Sequence, residues 1–126
     1  RGVAIDWRVA DLLEYIPPSA AYDLVCIFYL HMPFNELEQV LRRAAAALKP
    51  GGTLLTVGHD RRNIGEGSGG PQDPEILYTP DQVSAVLESL NVEYSASERR
   101  APDHGSSGPE AVQIDCVVRA KRPAGR

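Results

Sequence analysis

The feature that most constrains this chain is a strand–helix–strand pattern between Tyr22 and Asp60. Asp23 to Leu30 is a near-continuous apolar run, which suits a strand covered on both faces of a parallel sheet. Asn35 to Leu48 reads as a helix, with Leu37, Val40, Leu41, Ala44 and Leu48 at spacings of three and four forming one apolar stripe. Asn35 is placed to cap that helix, with Glu38 closing a capping box and pairing with Arg42 one turn on. Lys49-Pro-Gly-Gly52 stops it, because proline cannot continue a helix and glycine accepts left-handed geometry. A second apolar strand follows from Gly52 to Gly58. Connections this short predict a right-handed parallel crossover. In such units ligands gather at the carboxyl ends of the strands. Those ends carry Phe28, Tyr29, Leu30 and His31 on the first strand, and His59 and Asp60 on the second.

The flanking segments extend this unit. Val3, Ile5, Trp7 and Val9 alternate with other residues, the two-residue period of a strand that ends at Ala10-Asp11; Trp7 is read as structural. Residues 59–78 carry four glycines and two prolines and few apolar side chains, the composition of a lid-like loop that begins at the candidate site. Thr79-Pro80-Asp81-Gln82 is a helix start with threonine cap, early proline and a glutamine to close the box. Val83, Val86, Leu87 and Leu90 supply its buried stripe. Val92, Tyr94 and Ala96 alternate along one further strand, and Val112, Ile114, Cys116, Val118 and Ala120 along another. The glycine- and serine-rich connection Pro102 to Pro109 has no room for a crossover helix, so these two strands are expected to pair antiparallel.

A chain of 126 residues is long enough for one domain. An apolar content of 43% and a charged content of 24% are those of a globular protein. A formal charge of −4 argues against general nucleic-acid binding, and the basic tail Arg119 to Arg126 is read as a solvated end. There is no apolar run of membrane length and no visible signal peptide, which gives a cytoplasmic expectation without membrane partners. Cys26 and Cys116 lie in apolar strand patterns and are expected as buried thiols, with a disulfide between them left open. The absence of a starting methionine raises the expectation that residues precede Arg1.

Three features carry a family resemblance: Val9-Ala-Asp11 at a strand end, the apolar strand from Tyr22-Asp23 to Leu30-His31, and Leu48-Lys-Pro-Gly-Gly52 before the next strand. In this order they resemble the C-terminal portion of a class I S-adenosylmethionine-dependent methyltransferase. The stretch from Pro71 to Pro80 is loosely similar to a bacterial subgroup of tellurite-resistance and thiopurine type. The resemblance implies an α/β, Rossmann-like and mostly parallel sheet that ends in an antiparallel strand pair and lacks its N-terminal strands. It implies that Asp11 accepts from the adenine amine, with Ala10 and Leu12 beside the ring and Phe28, Tyr29 and Leu30 near the methionine portion. It also implies that His31 faces the substrate. The family's glycine-rich turn and its ribose-binding carboxylate have no counterpart in this sequence.

The expected function is methyl transfer from S-adenosylmethionine to a small-molecule acceptor by in-line displacement. Such a reaction depends mainly on alignment and exclusion of water. Where the acceptor is protonated a base is needed, and His31 and His59 are the catalytic candidates because histidine titrates near neutrality. His31, Asp60 and Tyr78 are the candidate substrate contacts. His31, His59 and Asp60 lack a tight ligand motif, so no metal site is expected. Two alternatives stand beside this reading: a nucleotide-binding α/β oxidoreductase, and a non-catalytic interaction or regulatory module. No dinucleotide fingerprint supports the first. The missing glycine-rich turn favours the second.

Overall fold

The computed structural model describes residues 2–101 and 112–124. Its sheet has four strands: β1 (Tyr22–Phe28), β2 (Leu48–His59), β3 (Asn91–Arg100) and β4 (Gln113–Lys121), in the spatial order β1-β2-β4-β3. β1 and β2 are parallel, and β4 runs antiparallel to both β2 and β3. This is the α/β arrangement with an antiparallel ending read from the sequence; among the described residues its parallel part is one strand pair. The Pro102–Pro109 connection lies outside the described residues.

Helices α1 (Phe34–Ala47) and α2 (Pro80–Val86) cover one face of the sheet. The stripe of α1 is buried at Leu37, Val40, Leu41, Ala44, Ala45 and Ala47. Facing it are Leu54 of β2 and Cys116, Val118 and Ala120 of β4, with Val83, Val86, Leu87 and Leu90 completing the core. Both halves of the predicted box at α2 are present: Thr79 Oγ1 accepts from the Gln82 N–H, and Gln82 Oε1 accepts from the Thr79 N–H.

The other face is open, which corrects the expectation of a first strand covered on both sides. Val25 and Ile27 face the helices, whereas Leu24 (57% exposed), Cys26 and Phe28 (56% exposed) line the uncovered side of β1. The apolar run registers that β1 belongs inside a larger apolar environment; helices on one face supply half of it. The register also separates the cysteines. Cys26 lies opposite Leu55 and is exposed, while Cys116 lies opposite Gly58 and is buried, and both are free thiols.

Three further boundaries differ from the sequence reading. Residues 3–9 form no strand and pair with none of the four strands, and Trp7 is 83% exposed and Val9 fully so. α1 begins at Phe34, after Pro33, without a side-chain cap. The Pro33 carbonyl accepts from the N–H groups of Glu36 and Leu37, so Asn35 is already inside the helix and cannot close a box with Glu38. The Glu38–Arg42 pair forms on the exposed face at 2.8 Å. Finally, α1 ends at Ala47, and Lys49-Pro-Gly-Gly52 is part of β2 as a bulge between the Tyr22–Leu48 and Leu24–Thr53 partners. A side chain at Gly52 would meet the carbonyl of Tyr22 at 2.9 Å and that of Lys49 at 3.0 Å, so the bulge depends on glycine there.

The segment after β2 folds back onto β4. Asn63 is buried, its Oδ1 accepting from the Ile114 N–H at 2.8 Å and its Nδ2 donating to the Gly69 carbonyl at 2.9 Å. Ser68 donates to the Val112 carbonyl through both its backbone and its hydroxyl.

Candidate functional site

The cluster at the carboxyl ends of β1 and β2 is built by a break in the backbone. β1 stops at Phe28, and Tyr29 takes a left-handed conformation (φ 54°) that a non-glycine residue adopts at a cost of order 1 kcal/mol. The Tyr29 N–H still donates to the Val57 carbonyl, so the chain turns without leaving the sheet. Past this turn β2 is flanked by β4 alone, and among the described residues the His59 N–H has no ladder acceptor on the β1 side. The His31 imidazole takes the place of one: its Nε2 accepts from the His59 N–H at 3.0 Å.

Four rings therefore gather here. The His31 and His59 rings stack with centroids 5.2 Å apart, Tyr29 lies 5.1 Å from His59, and Tyr78 lies 5.8 Å from His31. Tyr78 is buried and its hydroxyl donates to the Leu30 carbonyl at 3.2 Å. Burial pushes the Tyr78 phenol well above the usual tyrosine range.

Beneath the rings lies Asp115 of β4, 4% exposed. Its Oδ2 accepts from the Tyr29 hydroxyl at 2.9 Å and from Arg100 Nε at 2.6 Å. The Arg100 guanidinium also lies 5.8 Å from the centre of the Tyr29 ring. Burial and the Asp115 hydrogen bond raise the Tyr29 pKa, keeping it the donor. Among the described residues the second oxygen of Asp115 has no hydrogen-bond partner, nor does His59 Nδ1; both are buried, and they lie 3.9 Å apart. Burial lowers the pKa of both histidines, aided at His31 by the neighbouring His59 and opposed at His59 by Asp115.

Asp60 sits just beyond, fully buried, with Oδ1 accepting from the Arg62 N–H at 2.8 Å and Oδ2 from the Ser97 hydroxyl at 2.5 Å. Both oxygens thus hold the chain itself, fixing the start of the 61–77 segment. Arg61 donates to the Pro74 carbonyl, and Arg62 pairs with Glu66, so these cations brace the same segment.

A groove of about 510 Å³ runs along the free edge of β1, with Leu12, Phe28, Leu30 and Arg43 in its walls. Tyr29, His31 and His59 do not line it. Asp11 and Ala10 are exposed beside it, and Asp11 Oδ1 accepts from the Leu13 N–H at 2.9 Å, capping its own turn. The structure therefore brings Tyr29, His31, His59 and Tyr78 together and sets Leu12 with Phe28 and Leu30 in the groove, which the four rings do not line. Asp115 and Arg100 were not singled out from the sequence. The available signal was a carboxylate between Ile114 and Cys116 in an apolar strand, since a buried charge requires a partner. Among the described residues, no three His, Cys, Asp or Glu side chains gather as a metal-ligand set.

A sequence model of the methyltransferase domain family matches residues 1–56. No curated protein matches the chain. Among solved structures, an S-adenosylmethionine-dependent methyltransferase from Methanosarcina mazei superposes with a TM-score of 0.64 at 12% identity, over 94% of this chain and 67% of that one. The N-methyltransferase NodS from Bradyrhizobium japonicum WM9, in complex with S-adenosyl-L-homocysteine, gives 0.60 at 16% identity, over 93% of this chain and 54% of that one. TehB from Haemophilus influenzae gives 0.68 at 8% identity, over 91% of this chain and 40% of that one. The fold is that of the class I S-adenosylmethionine-dependent methyltransferases. The chain spans between two fifths and two thirds of these three proteins.

Proposed function

We propose that this chain carries the acceptor side of a methyltransferase that uses S-adenosylmethionine and acts on a small molecule in the cytoplasm, neither nucleic acid nor membrane being its partner. The observation that carries the reading is the gathering of Tyr29, His31, His59 and Tyr78 at the carboxyl ends of the two parallel strands, where ligands of open α/β sheets bind.

The donor end is supported by the groove. Leu12, Phe28 and Leu30 form an apolar wall that suits a planar base, and Asp11 Oδ2 makes no hydrogen bond among the described residues, leaving an acceptor for an exocyclic amine. Ala10 and Leu12 then flank the base, and the backbone from Phe28 to Leu30 adjoins the methionine portion. When bound, the sulfonium compound supplies an activated methyl group. The residues of this chain orient the acceptor: Tyr29 and His31 wall it, the buried Tyr78 backs the His31 ring rather than touching the acceptor, and His59 sits where a proton can be taken. Asp60 acts at one remove, by holding the segment that covers the site.

Calorimetric titration with S-adenosylhomocysteine tests the reading. Binding is expected, weakened about tenfold or more by Asp11→Ala through loss of a charge-assisted hydrogen bond. A folded full-length protein that takes up none would overturn it. The interaction module would then be the better account.

A further inference from the structure

We infer that His59 and Asp115 form a proton-accepting dyad, with His31 fixed as a spectator, and that the acceptor atom therefore carries a proton at neutral pH. The inference rests on the methyl-transfer reading for its chemistry, and on two unpartnered buried atoms for its geometry. His59 Nδ1 and Asp115 Oδ1 are the two buried side-chain polar atoms without a partner among the described residues, and they point at each other across 3.9 Å. Leaving a buried polar atom unpaired is unfavourable, so such a pair calls for a function. A hydrogen bond needs them roughly 1 Å closer. A proton on Nδ1 gives that movement its reason, because it turns the gap into an N–H facing a carboxylate.

The surroundings determine which histidine can act. His31 Nε2 is occupied by the His59 N–H, so the His31 ring is the Nδ1–H tautomer and its accepting nitrogen is engaged. His59 is the reverse. With Nδ1–H directed to Asp115, its Nε2 is the basic nitrogen and has no hydrogen-bond partner among the described residues. Asp115 is itself held by Tyr29 and Arg100 on its other oxygen, so its Oδ1 is fixed in place. Asp115 is a positioning residue; it touches His59, not the acceptor.

The step balances as follows. The acceptor's O–H or N–H bond breaks and its proton passes to His59 Nε2. The electron pair left on oxygen or nitrogen forms the bond to the methyl carbon, and the methyl–sulfur bond breaks with its pair on sulfur. The imidazolium faces the Asp115 carboxylate until it releases the proton to water. The charged and titratable groups facing His59 are Asp115, which favours the imidazolium, and Arg100, His31 and Tyr29, of which Arg100 opposes it. A neutral acceptor atom with an available lone pair would need none of this.

Long-range proton–nitrogen correlation spectra of the imidazoles, followed from pH 5 to 9 in the full-length protein, test the dyad. The neutral His59 ring is expected with its proton on Nδ1, and the neutral His31 ring likewise, with its Nε2 left as the acceptor of the His59 N–H. Asp115→Asn is expected to lower the His59 midpoint by about 1 pH unit or more, and Arg100→Gln to raise it. A purely structural Asp115 would leave the tautomer of His59 unconstrained. A proton on His59 Nε2 in the unmutated protein, or a midpoint that neither substitution moves, would overturn the dyad. Loss of S-adenosylhomocysteine binding bears instead on the methyl-transfer reading.

Discussion

The phenol of Tyr78 occupies the space in which residue 58 has no side chain. A Cβ on Gly58 would collide with the Tyr78 hydroxyl, and that hydroxyl is the donor that ties the end of the 59–78 segment to the Leu30 carbonyl. One small residue near the carboxyl end of β2 thereby allows the segment to close over the strand ends. Gly58→Ala should push Tyr78 out of its buried position and break its bond to Leu30, at a cost of about 1–3 kcal/mol for overpacking. Urea denaturation measures the loss. The double variant Gly58→Ala, Tyr78→Phe should recover part of it, because the clash is largely with the hydroxyl.

Asp60 and Asn63 should carry most of the anchoring of residues 61–77. Asp60→Ala removes the acceptor of the Arg62 N–H and the Ser97 hydroxyl, and Asn63→Ala leaves the Ile114 N–H without its acceptor. Each should cost about 1–3 kcal/mol in global stability, the range for leaving a buried polar partner unpaired. Amide exchange should accelerate across residues 61–77 more than in α1. Equal acceleration in both would show that the segment opens only with the whole fold.

How much of this was legible in the sequence follows the range of the interactions. The Thr79–Gln82 box and the Leu37-to-Ala44 stripe are decided within one or two turns, so periodicity and capping rules found them. The convergence of His31 and His59 was legible because both follow apolar strands that had to be parallel neighbours. The Asp115 cluster was not, since its hydrogen bonds join Tyr29 to a strand 86 residues later and depend on the order of β4 between β2 and β3. Alternation in residues 3–9 misled for a related reason. It describes what a segment can pair as, whereas a strand exists only where it is paired, and residues 3–9 pair with none of the described strands.

Acid should weaken the fold through the two histidines. Burial lowers both pKa values below the ordinary value, so the unfolded chain takes up protons first as pH falls. Protons bound in the unfolded state alone make stability rise with pH. The contribution is therefore fully present above about pH 6.5 and is lost as pH falls from there towards the folded-state values. Protonation of His31 would also remove the acceptor of the His59 N–H. Urea midpoints compared at pH 7.5 and 5.5 should show the loss. His31→Gln, which keeps an acceptor but does not titrate, should make it smaller; an unchanged difference would place the titration elsewhere.

The open face of β1 should govern how this chain behaves when isolated. Leu24 and Phe28 stand exposed beside the half-buried Leu55 and Val57 of β2, and the outer edge of β1 has no strand beside it among the described residues. An apolar face next to an unpaired edge favours association between copies. Residues 1–126 alone should therefore self-associate at micromolar concentration in sedimentation or light scattering. Leu24→Lys and Phe28→Lys should each shift the distribution towards monomer without loss of the cooperative unfolding transition, because neither side chain contributes to the core on the helical side. The comparison isolates the face from the edge. If both lysine variants associate as strongly as the parent, the backbone of β1 is the adhesive element, and a proline placed in that strand, at Cys26, would be the substitution that separates the copies.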